Sequence, residues 1–296
     1  MTLRTIVAAT DLSAPARHAA ERAASLAAAH GARLTLAHAV EATALDDLRR
    51  WIGREDPGSA LQASASEALH TLAAELQRRN GIEVSERLSC GNPVQEVSRL
   101  AEELDADLLV AGTRGAGFFR GVIVGSTAER VAKRSSRPVL MVRQSVHERY
   151  GRLLVPVDFS PWSLEGVALA RRLAPDATLV LLHALEVPFE GKLRVAGVDD
   201  AAIRAYRDGA RQEATERLHA LAARSGVPAA QLRLSIPGGA DPWMLIAQAE
   251  QEHDCDLVVI GKHGRNALQE LLLGSTTRMV LAECTADVLV STIRGD

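Results

Sequence analysis

DLLVAGTRGAGFFRGVIVGST runs from Asp107 to Thr127, and DLVVIGKHGRNALQELLLGST runs from Asp256 to Thr276. In each stretch a short apolar run empties into glycine and closes on Gly-Ser-Thr. The spacing is the same in both: Gly112-x-x-Gly115, nine residues, Gly125-Ser126, and Gly261-x-x-Gly264, nine residues, Gly274-Ser275. The residues between are almost all different, so the feature held in common is a backbone geometry.

Working outward, the rest of the chain is also written twice. TIVAATDLSAPA (5–16) aligns with LLVPVDFSPWS (153–163), and RLTLAHAVE (33–41) aligns with TLVLLHALE (178–186). Asp11 and Asp158 are 147 residues apart, and Gly112 and Gly261 are 149 apart. A near-constant offset predicts two duplicated domains, 1–144 and 151–296, each of ordinary domain size. The seam QSVHERYG (144–151) is polar and without periodicity, as in a short linker.

Each copy alternates short β-rich runs with Ala-rich helical patterns. Strands are expected near 5–10, 33–39, 82–88, 107–111 and 138–143, and near 152–157, 178–184, 231–236, 256–260 and 287–292. Most are near-continuous apolar runs, as in strands buried on both faces. The βαβαβαβαβ order predicts parallel sheets with right-handed crossovers. Gly31 suits a helix C-terminus. Ser160-Pro161, Asn92-Pro93 and Asp241-Pro242 place a capping residue before a first-turn proline. Ser126-Thr127-Ala128-Glu129 matches a capping box.

Composition narrows the function classes. A net charge of −3 gives no nucleic-acid footprint, and with aromatics at 3% there is little to stack bases on. No apolar run approaches bilayer length, so neither membrane insertion nor nucleic-acid binding is expected. Cys90, Cys255 and Cys284 are odd in number and without metal-ligand spacing, which suits a reducing, cytoplasmic compartment. The N-terminus MTLRTIVAATDLS has the pattern of a first strand, not of a signal peptide.

Glycine permits positive φ and close approach to a ligand. After a parallel strand, such a loop exposes successive N–H groups as an anion-binding concavity, and the helix opened by Gly-Ser-Thr adds a second phosphate-binding end. The alternative is that the glycines only turn the chain. No Walker-type loop is present, and Gly115-Ala116-Gly117 with Gly121 misses the dinucleotide fingerprint by one residue. In a doubly wound sheet of order 3-2-1-4-5, the ligand crevice lies between strands 1 and 4. Asp11 and Asp158 end their strands there, where each suits either a nucleoside or the turn into the next helix.

These residues make the chain resemble the universal stress protein family, whose signature is G-x-x-G-x9-G-[ST] after the fourth strand. The resemblance covers both copies. It implies two tandem doubly wound α/β domains, each a five-stranded parallel sheet of order 3-2-1-4-5 flanked by helices, packed as a pseudo-dimer. It also implies ATP binding, with Mg²⁺ as a possible companion, in members that carry the full signature. The site implied in copy one is Ala9, Asp11, Ala39, Gly112, Arg114, Gly115, Gly125, Ser126 and Thr127. In copy two it is Pro156, Asp158, Ala184, Gly261, His263, Gly264, Gly274, Ser275 and Thr276. Asp would hold the nucleoside, Ala39 and Ala184 would offer backbone to the base, and glycine amides with Ser and Thr hydroxyls would hold phosphates.

The copies differ in their fillers. Copy one has Arg114 and Arg120 in or near the cradle, and copy two has Lys262, His263 and Arg265. Arg offers phosphate a fixed fork, which favours copy one. Phe189, Arg194 and Tyr206 lie in the most divergent segment, as surface cover or as ligand or partner contacts. His38 and His183 are expected at the core edge, and Trp243 against the sheet. No catalytic constellation appears, so at most weak ATP hydrolysis is expected. The leading expectation is a nucleotide-dependent stress sensor or adaptor with an unknown protein partner, in a chain that can pair again as a homodimer. The alternative is a non-catalytic scaffold with degenerate sites, whose edge strands PVLMVR and DVLVS pair. An enzyme on the same scaffold is a third reading.

Overall fold

The computed structural model describes residues 2–41, 57–113, 125–146, 148–264 and 273–293. Copy one runs β1 (Thr5–Ala9), α1 (Ala14–His30), β2 (Arg33–Val40), α2 (Pro57–Asn80), β3 (Val84–Cys90), α3 (Pro93–Glu103), β4 (Leu108–Gly112), α4 (Ser126–Arg134) and β5 (Val139–Val142). Copy two runs β6 (Arg152–Pro156), α5 (Pro161–Leu173), β7 (Thr178–Leu182), α6 (Glu190–Val195), α7 (Asp200–Ser225) and β8 (Leu232–Ser235). It continues with α8 (Pro242–Glu252), β9 (Leu257–Gly261), α9 (Ser275–Glu283) and β10 (Asp287–Ser291).

The ten strands form one sheet of order β3-β2-β1-β4-β5-β10-β9-β6-β7-β8. Each half has the order 3-2-1-4-5 with parallel pairing throughout. The halves meet where β5 and β10 pair antiparallel, Leu140 opposite Leu289. The two interior edges therefore cover one another, and the free edges are β3 and β8, where Glu86, Arg87 and Arg233 interrupt the apolar pattern.

Burial follows the strand period of two. Ile6, Leu108 and Leu140, with Leu153, Leu257 and Leu289, face one side, under α1, α2, α5 and α7. Val7, Leu109 and Met141, with Leu154, Val258 and Val288, face the other, under α3, α4, α8 and α9. Both cores run through both copies, which is why these strands are apolar on each face.

Several end signals behave as expected. Gly31 takes φ +64° and returns its N–H to Ala27 O. Asn92 Oδ1 accepts from Val94 N and Gln95 N, and Ser160 caps α5. Asp241 caps α8 by position, but its side chain makes no capping bond. At Ser126–Glu129 the register differs from that of the expected capping box. Gly125 is the cap, so the helix starts one residue early and Glu129 pairs with Lys133 at 2.8 Å.

The seam is tied into the fold rather than passive. Asp287, fully buried at the start of β10, accepts from Arg143 N (2.7 Å), Gln144 N (3.2 Å) and Tyr150 Oη (2.6 Å). Arg22 of α1 lies 3.6 Å from the same carboxylate and stacks over the Tyr150 ring at 4.2 Å.

Candidate functional site

All nine residues nominated in copy two line one cleft of about 690 Å³: Pro156, Asp158, Ala184, Gly261, His263, Gly264, Gly274, Ser275 and Thr276. It lies at the carboxyl ends of β6 and β9, where a doubly wound sheet reverses its strand order. Pro156 helps to open it. β1 and β4 stay in register over four residue pairs, whereas β6 and β9 pair only at Leu153↔Leu257 and Leu154↔Val258. Proline has no N–H with which to extend that ladder.

Asp158 forms the turn its position suggested, and it also lines the cleft. Its Oδ1 accepts from Ser160 N at 2.9 Å and from the Ser160 hydroxyl, bracing the serine that caps α5. Its Oδ2 faces Gly264, close enough that a Cβ there would sit 3.1 Å away. Copy one repeats the brace, with Asp11 Oδ1 accepting from Ser13 N at 3.0 Å. The intervening Leu12 and Phe159 take φ of +63° and +62°. Left-handed backbone at a bulky residue is strained. Its recurrence in both copies marks a turn that composition did not reveal. Phe159 is held between His183 (4.6 Å between rings) and the Arg217 guanidinium (4.2 Å).

Positive φ is not what the described signature glycines supply. Among the described signature positions, Gly112, Gly125, Gly261, Gly264 and Gly274, none takes a positive φ. Gly261 is needed for packing: a Cβ there would lie 2.8 Å from Trp162 Cβ. Gly274 has only ordinary contacts, the nearest at 3.6 Å. Gly125 and Gly274 close their loops by the same bond, donating to Thr113 O (2.7 Å) and Lys262 O (3.0 Å). Glycine is the N-cap of both α4 and α9, so no N-cap side chain takes up their first-turn N–H groups.

Lys262 is not in the cradle. Its buried Nζ donates to Ser135 O of copy one at 3.1 Å, and Thr292 Oγ1 donates to Ser136 O at 3.0 Å. His263 is buried with its ring edge-on to Trp162 at 4.8 Å. His183, expected at the core edge, is buried, meets Val157 O through Nδ1 at 2.7 Å and also lines the cleft. Only the carbonyl at the end of the neighbouring strand β6 identifies that role, which sequence spacing does not carry. His38 meets Thr10 O the same way in copy one. Trp243 packs against the sheet core as expected. Ala184 sits between His183 N, which donates to Ser235 O, and Leu185 N, which donates to Pro237 O; its own amide is spent in neither bond.

In copy one, Ala9 ends β1 opposite Ala111, Ala39 lies in β2, Gly112 ends β4, and Gly125, Ser126 and Thr127 form the start of α4. Arg114, Gly115, Arg120 and Arg265 lie outside the described residues. Phe189 is 67% exposed, Tyr206 Oη donates to Pro188 O at 3.1 Å, and Arg194 pairs with Glu190 at 3.4 Å. These residues close on their own segment and stand outside the cleft lining.

Two doubly wound α/β units in one sheet, with a cleft at the strand-order reversal facing a helix N-terminus, define a tandem α/β protein. The universal stress protein family model matches residues 2–143 and again 149–292, and the chain belongs to that family. It is 26% identical over 301 residues to a universal stress protein of Mycolicibacterium smegmatis, covering 96% of each chain. It is 33% identical over 141 residues to a universal stress protein of Thermus aquaticus, covering 47% of this chain and 98% of that one. The crystal structure of a universal stress protein from Archaeoglobus fulgidus superposes with a TM-score of 0.71, at 21% identity over 98% of both chains. No described helix is long and apolar enough to cross a membrane.

Proposed function

We propose that the chain binds an adenine nucleotide, ATP with Mg²⁺, in the strand-end cleft of copy two and in its counterpart in copy one. The observation that carries this reading is the convergence of all nine nominated copy-two residues on one cleft of a size usual for small-molecule sites. The donor set suits the ligand. The α9 N-terminus presents its first-turn amides and the positive end of its dipole, with Ser275 and Thr276 at the mouth. Asp158 would take ribose hydroxyls, and the Ala184 backbone would take the base edge. Bound nucleotide would supply the charge to which the two halves respond, as befits a cytoplasmic sensor or adaptor for a protein partner. The domains would be 1–144 and 151–296.

Calorimetric titration of Mg-ATP tests this on the wild type, Gly264→Val and Gly115→Val. The wild type is expected to saturate at one or more sites per chain, and Gly264→Val to lose one. No saturable binding into the millimolar range, with no nucleotide carried through purification, would overturn it.

One observation favours a second reading, a scaffold in which the cleft is inherited geometry. Lys262, the cation beside the glycine loop, is committed to Ser135 of the other copy rather than to the cleft. A chain that binds no nucleotide but still needs Lys262 for stability would fit that reading. Steady ATP turnover abolished by Asp158→Asn would instead favour an enzyme.

A further inference from the structure

A second cleft, of about 670 Å³, lies between the copies on the helix face away from the nucleotide site's α9. Its walls come from α1 of copy one, the linker, and the end of α5 in copy two. Four arginines line it: Arg22, Arg149, Arg171 and Arg172, with His30 beside them. The lining carboxylate is Asp176, and Asp287 lies behind Arg22. In a chain whose net charge is −3, this is a local surplus of positive charge.

The guanidiniums are held in different ways. Arg22 is 6% exposed and fixed by Glu148 O (2.8 Å), the Tyr150 ring and Asp287. Arg171 donates to Ser225 O at 2.7 Å. Among the described residues, Arg172 Nε is buried without a hydrogen-bond partner, whereas Arg22 Nε faces the Asp287 carboxylate. Among the described residues, no carboxylate lies within ion-pair distance of Arg149, Arg171 or Arg172. Arginines in the last turn of α5 favour that helix end, which accounts for Arg171 and Arg172. It does not account for Arg149 in the linker. A buried guanidinium donor with no acceptor costs free energy that a ligand oxygen would recover.

We propose that this inter-copy cleft is a binding site for a small polyanion, a phosphate- or carboxylate-bearing molecule with at least two negative charges. Guanidinium forks match both oxyanion types bidentately, and the enclosed volume suits a small molecule rather than a polymer. Because its walls belong to both copies and the linker, an occupant contacts both halves at once. The assignment is independent of the nucleotide reading.

The test is calorimetric titration of the full chain with inorganic pyrophosphate, and separately with citrate, at low ionic strength. One site per chain is expected for at least one of them, and the anion that binds more tightly gives the class. The double variant Arg149→Gln/Arg172→Gln should weaken that binding at least tenfold. Arg149→Gln alone, on an exposed linker side chain, should weaken it severalfold with the melting temperature unchanged. Gly264→Val should leave it unaltered, which separates this site from the nucleotide cleft. Absence of saturable binding for both anions, an affinity indifferent to both arginine variants, or loss of binding in Gly264→Val would each overturn the proposal.

Discussion

At the scale of single residues, the paired glycine pattern divides into positions of unequal consequence. Gly261 is pressed against α5, and an added methyl would stand 2.8 Å from Trp162 Cβ. Gly261→Ala is expected to cost about 1–3 kcal/mol, as overpacking does, measured by urea denaturation. Gly274 sits at φ −56° and ψ 150°, a backbone that serine adopts freely as a helix cap. Gly274→Ser is expected to leave stability within about 0.5 kcal/mol. A fall in nucleotide affinity in that variant would then report close backbone approach by ligand rather than damage to the fold. The spacing of these glycines was plain in the sequence, but their purpose was not. Helix packing against Gly261 depends on Trp162, about a hundred positions away along the chain. The strained Leu12 and Phe159 were equally hidden, because nothing in DLS or DFS marks a left-handed residue.

At the scale of elements, strands and caps were legible because their causes are local. Apolar runs of the right length became the ten strands, and Asn92-Pro93 became a working helix start. The capping-box reading was off by one residue because its pattern fixes chemistry but not register: Gly125 is the N-cap and α4 starts at Ser126. The brace around Asp287 was beyond reading, since its partners Arg143, Gln144 and Tyr150 lie in the other half or the linker. Copy one has Pro138 near the aligned position, so the repeat itself offered no hint. Asp287→Ala would strand Arg22 in a buried setting without its counter-charge. A loss of about 3–5 kcal/mol is expected, as for other broken buried pairs, again read from denaturant midpoints.

At the scale of the whole molecule, burial sets the response to alkali. Burial pushes the Cys255 and Cys284 thiols from 9.0 up to about 12. Burial, then the Asp287 charge, raises the Tyr150 phenol well above 10.0. All three are protonated in the fold and lose protons more readily once unfolded. Their contribution to stability is therefore complete below about pH 9 and declines as pH rises beyond it. Denaturation midpoints measured from pH 7 to 11 should be level at first and then fall. A thiol-reactive reagent at pH 8 should modify one cysteine of the native chain, exposed Cys90, and all three in denaturant. The antiparallel pairing of β5 with β10 carries a further consequence. Because one polypeptide supplies both strands, their encounter is governed by an effective concentration set by tether length, independent of dilution. The two halves can therefore diverge in sequence, one cleft from the other, without surrendering their partnership to competition from identical neighbours.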